Sequence, residues 1–404
     1  MYRGSIILLT WFLVLGRCTD LTATIKPDFT IPFEIYNNLI VLNLKVNESP
    51  PLKFIYDSGS EHSLFFERSL AEFLRIKMIR SIQIYGSDLS RPMEAVVGQG
   101  VSFETANDML LKADIIVLDE NIFQFSEYLG IEITGIIGNS LFRNKVIELD
   151  FDEMQIKVYG PLQYQPQDDG YTQVDCQWVK GKPYILVDVG FEKDIHEKKK
   201  LLFDTGASIG LLLYSTMVDT AYLPSKLIAG SMGMGLGGSL EGFIGRIREL
   251  KIGEFAQKNL ITYFQAVDST HLENDVSAKE GIVGNMLISR YNVVLDFHLQ
   301  HIYLKPNKSS KKKMPFDRSG LYLVAMGSDL KEYEVRRVMA HTAAAEADIR
   351  AGDKIIRFRR MAVHNFTLGE IIQNLSSERR KRIHLVILRD GKKMKKVLYL
   401  KDII

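Results

Sequence analysis

Between Phe29 and Lys305 the chain runs as short apolar stretches, rich in β-branched and aromatic residues and separated by Gly, Asn, Asp and Pro. Runs of that length with those breakers predict strands joined by turns. The pattern dissolves at Asn307-Lys308-Ser309-Ser310-Lys311-Lys312-Lys313, a polar stretch with no apolar period that predicts a linker. It resumes with apolar clusters around Leu321–Leu323, Val335–Val338 and Ile355–Ile356, a helical pattern at Leu368–Ile372 and a strand at Ile383–Leu388. A last strand, Lys396 to Leu400, follows the turn signal Asp390-Gly391. The expected architecture is therefore mainly β, with a smaller α+β unit at the C-terminal end.

One apolar stretch differs from all the others. Ser5 to Gly16 is almost unbroken, follows Arg3, and is twelve residues long. As a helix it falls short of the roughly 30 Å hydrocarbon core, so it reads as a secretory signal (residues 1–18) rather than a membrane span. Gly16 and Cys18 suit the small positions before a cleavage site. Leu15-Gly16-Arg17-Cys18 also resembles a bacterial lipobox, with Arg17 where that pattern wants a small residue. Export to a bacterial envelope (periplasm) or secretion follows, with a lipid anchor at Cys18 as the alternative to cleavage. No later stretch approaches the length of a transmembrane segment.

The 404 residues are 46% hydrophobic and 25% charged, which excludes a disordered polymer, a collagen-like repeat and a polytopic membrane protein. The 51 Lys and Arg nearly balance the 49 Asp and Glu, so the whole molecule is not built to bind nucleic acid. The balance is uneven along the chain: residues 318–404 carry 19 basic against 10 acidic side chains, a net of +9, leaving −7 elsewhere. That change of sign supports a domain boundary near the polar linker, residues 307–317. With two cysteines, one of them in the signal, a disulfide framework is not expected.

The region before the linker repeats itself once. Phe54-Ile55-Tyr56-Asp57-Ser58-Gly59-Ser60 parallels Leu202-Phe203-Asp204-Thr205-Gly206-Ala207-Ser208. Gly135-Ile136-Ile137-Gly138-Asn139 parallels Gly281-Ile282-Val283-Gly284-Asn285, and Val146–Asp152 parallels Asn292–His298. The offsets are 147, 146 and 146 positions, so one unit occurs twice, giving lobes at residues 29–160 and 161–306.

Each copy ends an apolar strand in Asp-Ser/Thr-Gly. The strand fixes the carboxylate, the glycine permits a tight turn whose amides can bond to it, and the small hydroxyl can reach the opposite loop. In these motifs the chain resembles the aspartic proteases of the retropepsin-like type, with both halves of the site in one chain. The resemblance implies a bilobal aspartic-protease fold, a catalytic pair Asp57 and Asp204, and supporting loops built from Ser58, Gly59, Thr205, Gly206, Gly138 and Gly284. It implies a polypeptide substrate, catalysis as a monomer, and neither metal nor other cofactor. Gly235, Gly237 and Gly238 of the run Gly233–Gly238 are candidates for a hairpin flap over substrate, with Tyr85-Gly86-Ser87-Asp88 at the aligned position of the first lobe. No Lys-Ser/Thr follows that run, so it is not a phosphate loop.

Residues 318–404 resemble a PDZ domain in the succession Thr342-Ala343-Ala344-Ala345 and Ala351-Gly352-Asp353-Lys354-Ile355-Ile356. Gly320, Leu321, Tyr322 and Leu323 then stand where that family grips a peptide C-terminus, although they depart from its usual Gly-Leu-Gly-Phe form. The other titratable residues read as structural. His62, His271 and His298 lack partners at metal spacing, Asp150 and Asp296 recur at turns, Cys176 reads as a buried thiol, and Lys198-Lys199-Lys200 as an exposed hairpin tip. Two functions remain in view: an exported aspartic endopeptidase, and a catalytically silent protein that binds peptides in its cleft and its C-terminal groove. A serine hydrolase using Ser60 or Ser208 lacks the nucleophile elbow and a placed histidine.

Overall fold

The structure, a computed structural model, describes residues 25–85, 92–119, 121, 123–214, 223–235, 238–265 and 280–404. The expected signal, Cys18 included, therefore lies outside the described residues. The described chain is mainly β, in two β-rich lobes and a C-terminal unit.

The duplication is visible strand by strand. In the first lobe the strands lie in the order Phe29–Tyr36, Leu39–Val46, Leu52–Tyr56, Gly135–Ile137, Ser63–Phe65, Leu110–Leu118, Pro92–Glu104, Lys77–Tyr85. In the second the order is Cys176–Val179, Lys182–Gly190, His196–Asp204, Gly281–Gly284, Leu211–Tyr214, Phe255–Gln265, Gly238–Ile252, Ile228–Gly235. Each sheet curls back on itself through the same extra pairing: Leu39–Val46 with Pro92–Glu104, and Lys182–Gly190 with Gly238–Ile252. The opening hairpins turn on residues held at positive φ, Asn37-Asn38 in one lobe and Lys180-Gly181 in the other. Such two-residue turns match the twist of the strands they join.

A further set of strands joins the lobes. The hairpin Val146–Asp150/Gln155–Tyr159 lies beside its counterpart Tyr291–Asp296/His301–Pro306, with Val146–Asp150 antiparallel to Tyr291–Asp296. Ile147, Leu149, Val293 and Leu295 are fully buried there, inside one apolar core that runs through both lobes. Asp150 accepts the amides of Asp152 and Glu153, and Asp296 those of His298 and Leu299, so both are buried turn-cappers.

Two expectations are corrected. Lys198, Lys199 and Lys200 belong to the strand His196–Asp204 rather than a hairpin tip, and Lys199 pairs with Glu197 and Glu280. Cys176 is half-buried, donating to the Gln300 carbonyl, and burial pushes its thiol pKa up.

The stretch after Pro306 is held down. Arg290, itself buried, donates to the carbonyls of Ser310 and Lys312, and the Lys308 amide donates to Asp152. Beyond it the strands Leu321–Met326, Glu332–Val338, Lys354–Phe358, Arg382–Arg389 and Lys392–Tyr399 form a separate sheet with its own core. The helix Leu368–Leu375 closes that core and begins with a capping box, Thr367 and Glu370 bonding each other's backbone. Asp353, almost fully buried, is clasped by Arg389 at 2.6 and 2.7 Å.

Candidate active site

The strand Leu52–Tyr56 runs parallel to Gly135–Ile137, and His196–Asp204 runs parallel to Gly281–Gly284. Each pair delivers one aspartate. Asp57 and Asp204 come within hydrogen-bonding reach of each other where the lobes meet. Their loops are equivalent copies: the Gly59 amide donates to Asp57 Oδ1 at 2.7 Å, and the Gly206 amide to Asp204 Oδ1 at 2.8 Å. A methyl group on Gly59 would lie 2.6 Å from Asp204 Cγ, and one on Gly206 2.4 Å from Asp57 Cγ. Only glycine leaves each carboxylate room beside the opposing loop.

The hydroxyls lock the loops reciprocally. The Ser58 amide donates to Thr205 Oγ1 at 2.9 Å, and the Thr205 amide to Ser58 Oγ at 3.0 Å. Ser58 Oγ then donates to the Phe203 carbonyl, and Thr205 Oγ1 to that of Tyr56. Both side chains are fully buried, so these four bonds fix the separation of the lobes at this point.

Gly138 and Gly284 lie beneath the aspartate loops. A Cβ on Gly138 would meet the His62 carbonyl at 2.5 Å, and on Gly284 the Ile209 carbonyl at 2.3 Å. The residues after them work across the lobes. Asn139 donates to Ser58 O and to Gly181 O of the second lobe, while Asn285 donates to Asn38 O of the first. Asn38 returns a bond to Ser208 O. Sequence reasoning gave neither asparagine a role of its own, although recurrence after the glycine in both copies was the available signal. Tyr128, whose hydroxyl lies 2.9 Å from Ser208 Oγ, carried no such signal.

The electrostatics follow from burial and likeness of charge. Asp57 is 9% exposed; burial, and then the neighbouring Asp204 carboxylate, push its pKa well above the usual carboxylate range. Two such carboxyl groups hold one proton between them over a broad pH range, and the titration belongs to the pair. A pair of this kind can activate a water molecule and polarise a carbonyl at once.

Other expected residues lie further out. Gly235 and Gly238 pair with each other at the end of the hairpin Ile228–Gly235/Gly238–Ile252, and Gly237 lies outside the described residues. In the first lobe Tyr85 pairs with Pro92 in the equivalent hairpin, and Gly86, Ser87 and Asp88 lie outside the described residues. The loop Gly320-Leu321-Tyr322-Leu323 runs into the Leu321–Met326 strand, in the separate C-terminal sheet. Two of its amides are already engaged, Gly320 N by Asp317 and Leu321 N by Ser319 Oγ. His271 lies outside the described residues, and His62 Nε2 lies 3.8 Å from Glu61 Oε2. Among the described residues no His, Cys, Asp and Glu cluster is arranged to hold a metal ion, and no helix is long and apolar enough to cross a membrane.

No protein-family model matches the chain, and no curated protein matches it. Among solved structures, basic 7S globulin from soybean is similar at a TM-score of 0.43 and 10% identity, over 70% of this chain and 97% of that one.

Proposed function

We propose that the chain is an aspartic endopeptidase that hydrolyses polypeptides with water activated between Asp57 and Asp204. The observation that carries the reading is the meeting of two carboxyl groups from equivalent strands, in loops locked by reciprocal Ser58 and Thr205 bonds. In the working state the pair holds one proton. The ionised oxygen takes a proton from the bound water as that water attacks the scissile carbonyl carbon. The protonated member donates to the carbonyl oxygen, giving a neutral gem-diol intermediate. Collapse returns a proton to the leaving amine and breaks the C–N bond, with no covalent enzyme intermediate. Both aspartates belong to one chain, so the chemistry requires no second copy. On the same reading the protein is exported, and its C-terminal unit is a PDZ-like peptide groove walled by the Leu321–Met326 strand and the Leu368–Leu375 helix.

The test is digestion of a peptide library from about pH 3 to about pH 8 by the mature protein, Asp57→Asn and Asp204→Asn, with and without a transition-state-like inhibitor of aspartic proteases. Cleavage is expected in the parent alone, reduced by at least about 100-fold in each variant. Peptide binding without cleavage at any pH would replace this reading with that of a silent peptide-binding protein.

A further inference from the structure

The helix Phe125–Leu129 of the first lobe, with the Gly130 that ends it, lies against the C-terminal unit at the groove just described. Gly130 sits in the left-handed region, φ 69°, and a Cβ there would stand 2.9 Å from Leu368 Cβ and 3.7 Å from Ala325 Cβ. Leu368 opens the helix that walls the groove, Ala325 belongs to the strand opposite, and both are fully buried. One residue pair along, the ring of Tyr128 stacks on that of Tyr322, centroids 6.2 Å apart at 24°. Arg336 Nη2 completes the seat with a 2.9 Å bond to Glu127 Oε2. The chemistry of the seat is that of a peptide interface, with an aromatic stack, a close backbone approach at glycine and a flanking ion pair. At the strand's start, where a chain terminus would be gripped, Asp317 and Ser319 already occupy the Gly320 and Leu321 amides.

We propose that this groove is an internal docking surface whose resident occupant is the Phe125–Gly130 segment of the same chain, and that the seat steadies the Asp204 loop through Tyr128 and Ser208. Tyr128 joins the two surfaces because it serves both contacts at once: its ring rests on Tyr322 and its hydroxyl on Ser208, four residues beyond Asp204. A peptide entering the groove must displace the segment, and in doing so it withdraws that support. The inference rests on the peptide-groove reading of the C-terminal unit and deepens it: the fitted partner is a short helical turn ending in glycine, not a free chain terminus.

Hydrogen exchange on the full chain tests this without requiring catalysis, so it can fail independently of the peptidase reading. Gly130→Asn keeps a residue that tolerates positive φ but adds a Cβ where Leu368 leaves no room. Amide exchange is expected to rise by about ten-fold or more in residues 125–130, 321–326 and 205–209 together, with the inter-lobe strands unchanged. Arg336→Glu should reproduce the pattern more weakly, and Glu127→Arg combined with Arg336→Glu should restore protection. Tyr128→Phe, which keeps the stack and removes the hydroxyl, should release residues 205–209 alone. Faster exchange confined to residues 125–130 in Gly130→Asn, or no change in residues 205–209 in Tyr128→Phe, would overturn the proposal.

Discussion

Asp57 carries a cost that its neighbours impose. Its pKa is raised in the folded state, so between the ordinary carboxylate range and that raised value the folded chain holds more proton than the unfolded one. Stability contributed by this site is therefore greatest in acid and declines as pH rises, by about 1.4 kcal/mol for each unit of elevation. Asp204→Asn removes the neighbouring charge; its melting midpoint relative to the parent should rise as pH climbs above the ordinary carboxylate range, read by calorimetry. Thr205→Val is expected to act in the other direction. It leaves the Ser58 amide without its acceptor and the Tyr56 carbonyl without its donor, both buried, at about 1–3 kcal/mol for each stranded group. Denaturant unfolding would show it as a lower midpoint at every pH. The aspartates were legible in the sequence because the same tripeptide occurs at matched distances from the same glycine motif. Tyr128 was not, since its two contacts, Ser208 and Tyr322, are 80 and 194 residues away.

Among elements, those defined by local chemistry were the readable ones. Asp390-Gly391 turns the last hairpin with both residues at positive φ, and the helical pattern at Leu368–Ile372 is the helix Leu368–Leu375, whose Thr367 and Glu370 capping box the pattern alone did not use. Gly352, at φ 87°, lets Asp353 face inward to Arg389. Arg389→Leu leaves that carboxylate without its clasp and should lower the midpoint of the C-terminal unit's unfolding transition. The strand His196–Asp204 was harder to read at its start. Three consecutive lysines hide the alternation that marks a strand, and their acidic partner Glu280 is 81 residues from Lys199. Export remains an expectation from residues 1–18, which lie outside the described structure.

At the scale of the whole molecule, the two-lobed body follows from a spacing, and the attachment of the C-terminal unit does not. The polar run Asn307–Lys313 has the composition of a free tether, yet Arg290 holds two of its carbonyls. That contact joins residues about 20 apart through one guanidinium, which composition cannot reveal. Arg290→Ala should make the Lys311–Lys313 cluster a preferred trypsin site, cut several times faster than in the parent while both lobes stay intact. The strands that join the lobes carry a further consequence. Ile147 pairs with Leu295 and Leu149 with Val293, while the sequence offset of 146 carries Ile147 onto Val293 and Leu149 onto Leu295. Exchanging the lobes therefore maps this seam onto itself. Each lobe presents an edge complementary to its own image, so a single lobe released from the chain would find its natural mate in another copy of itself.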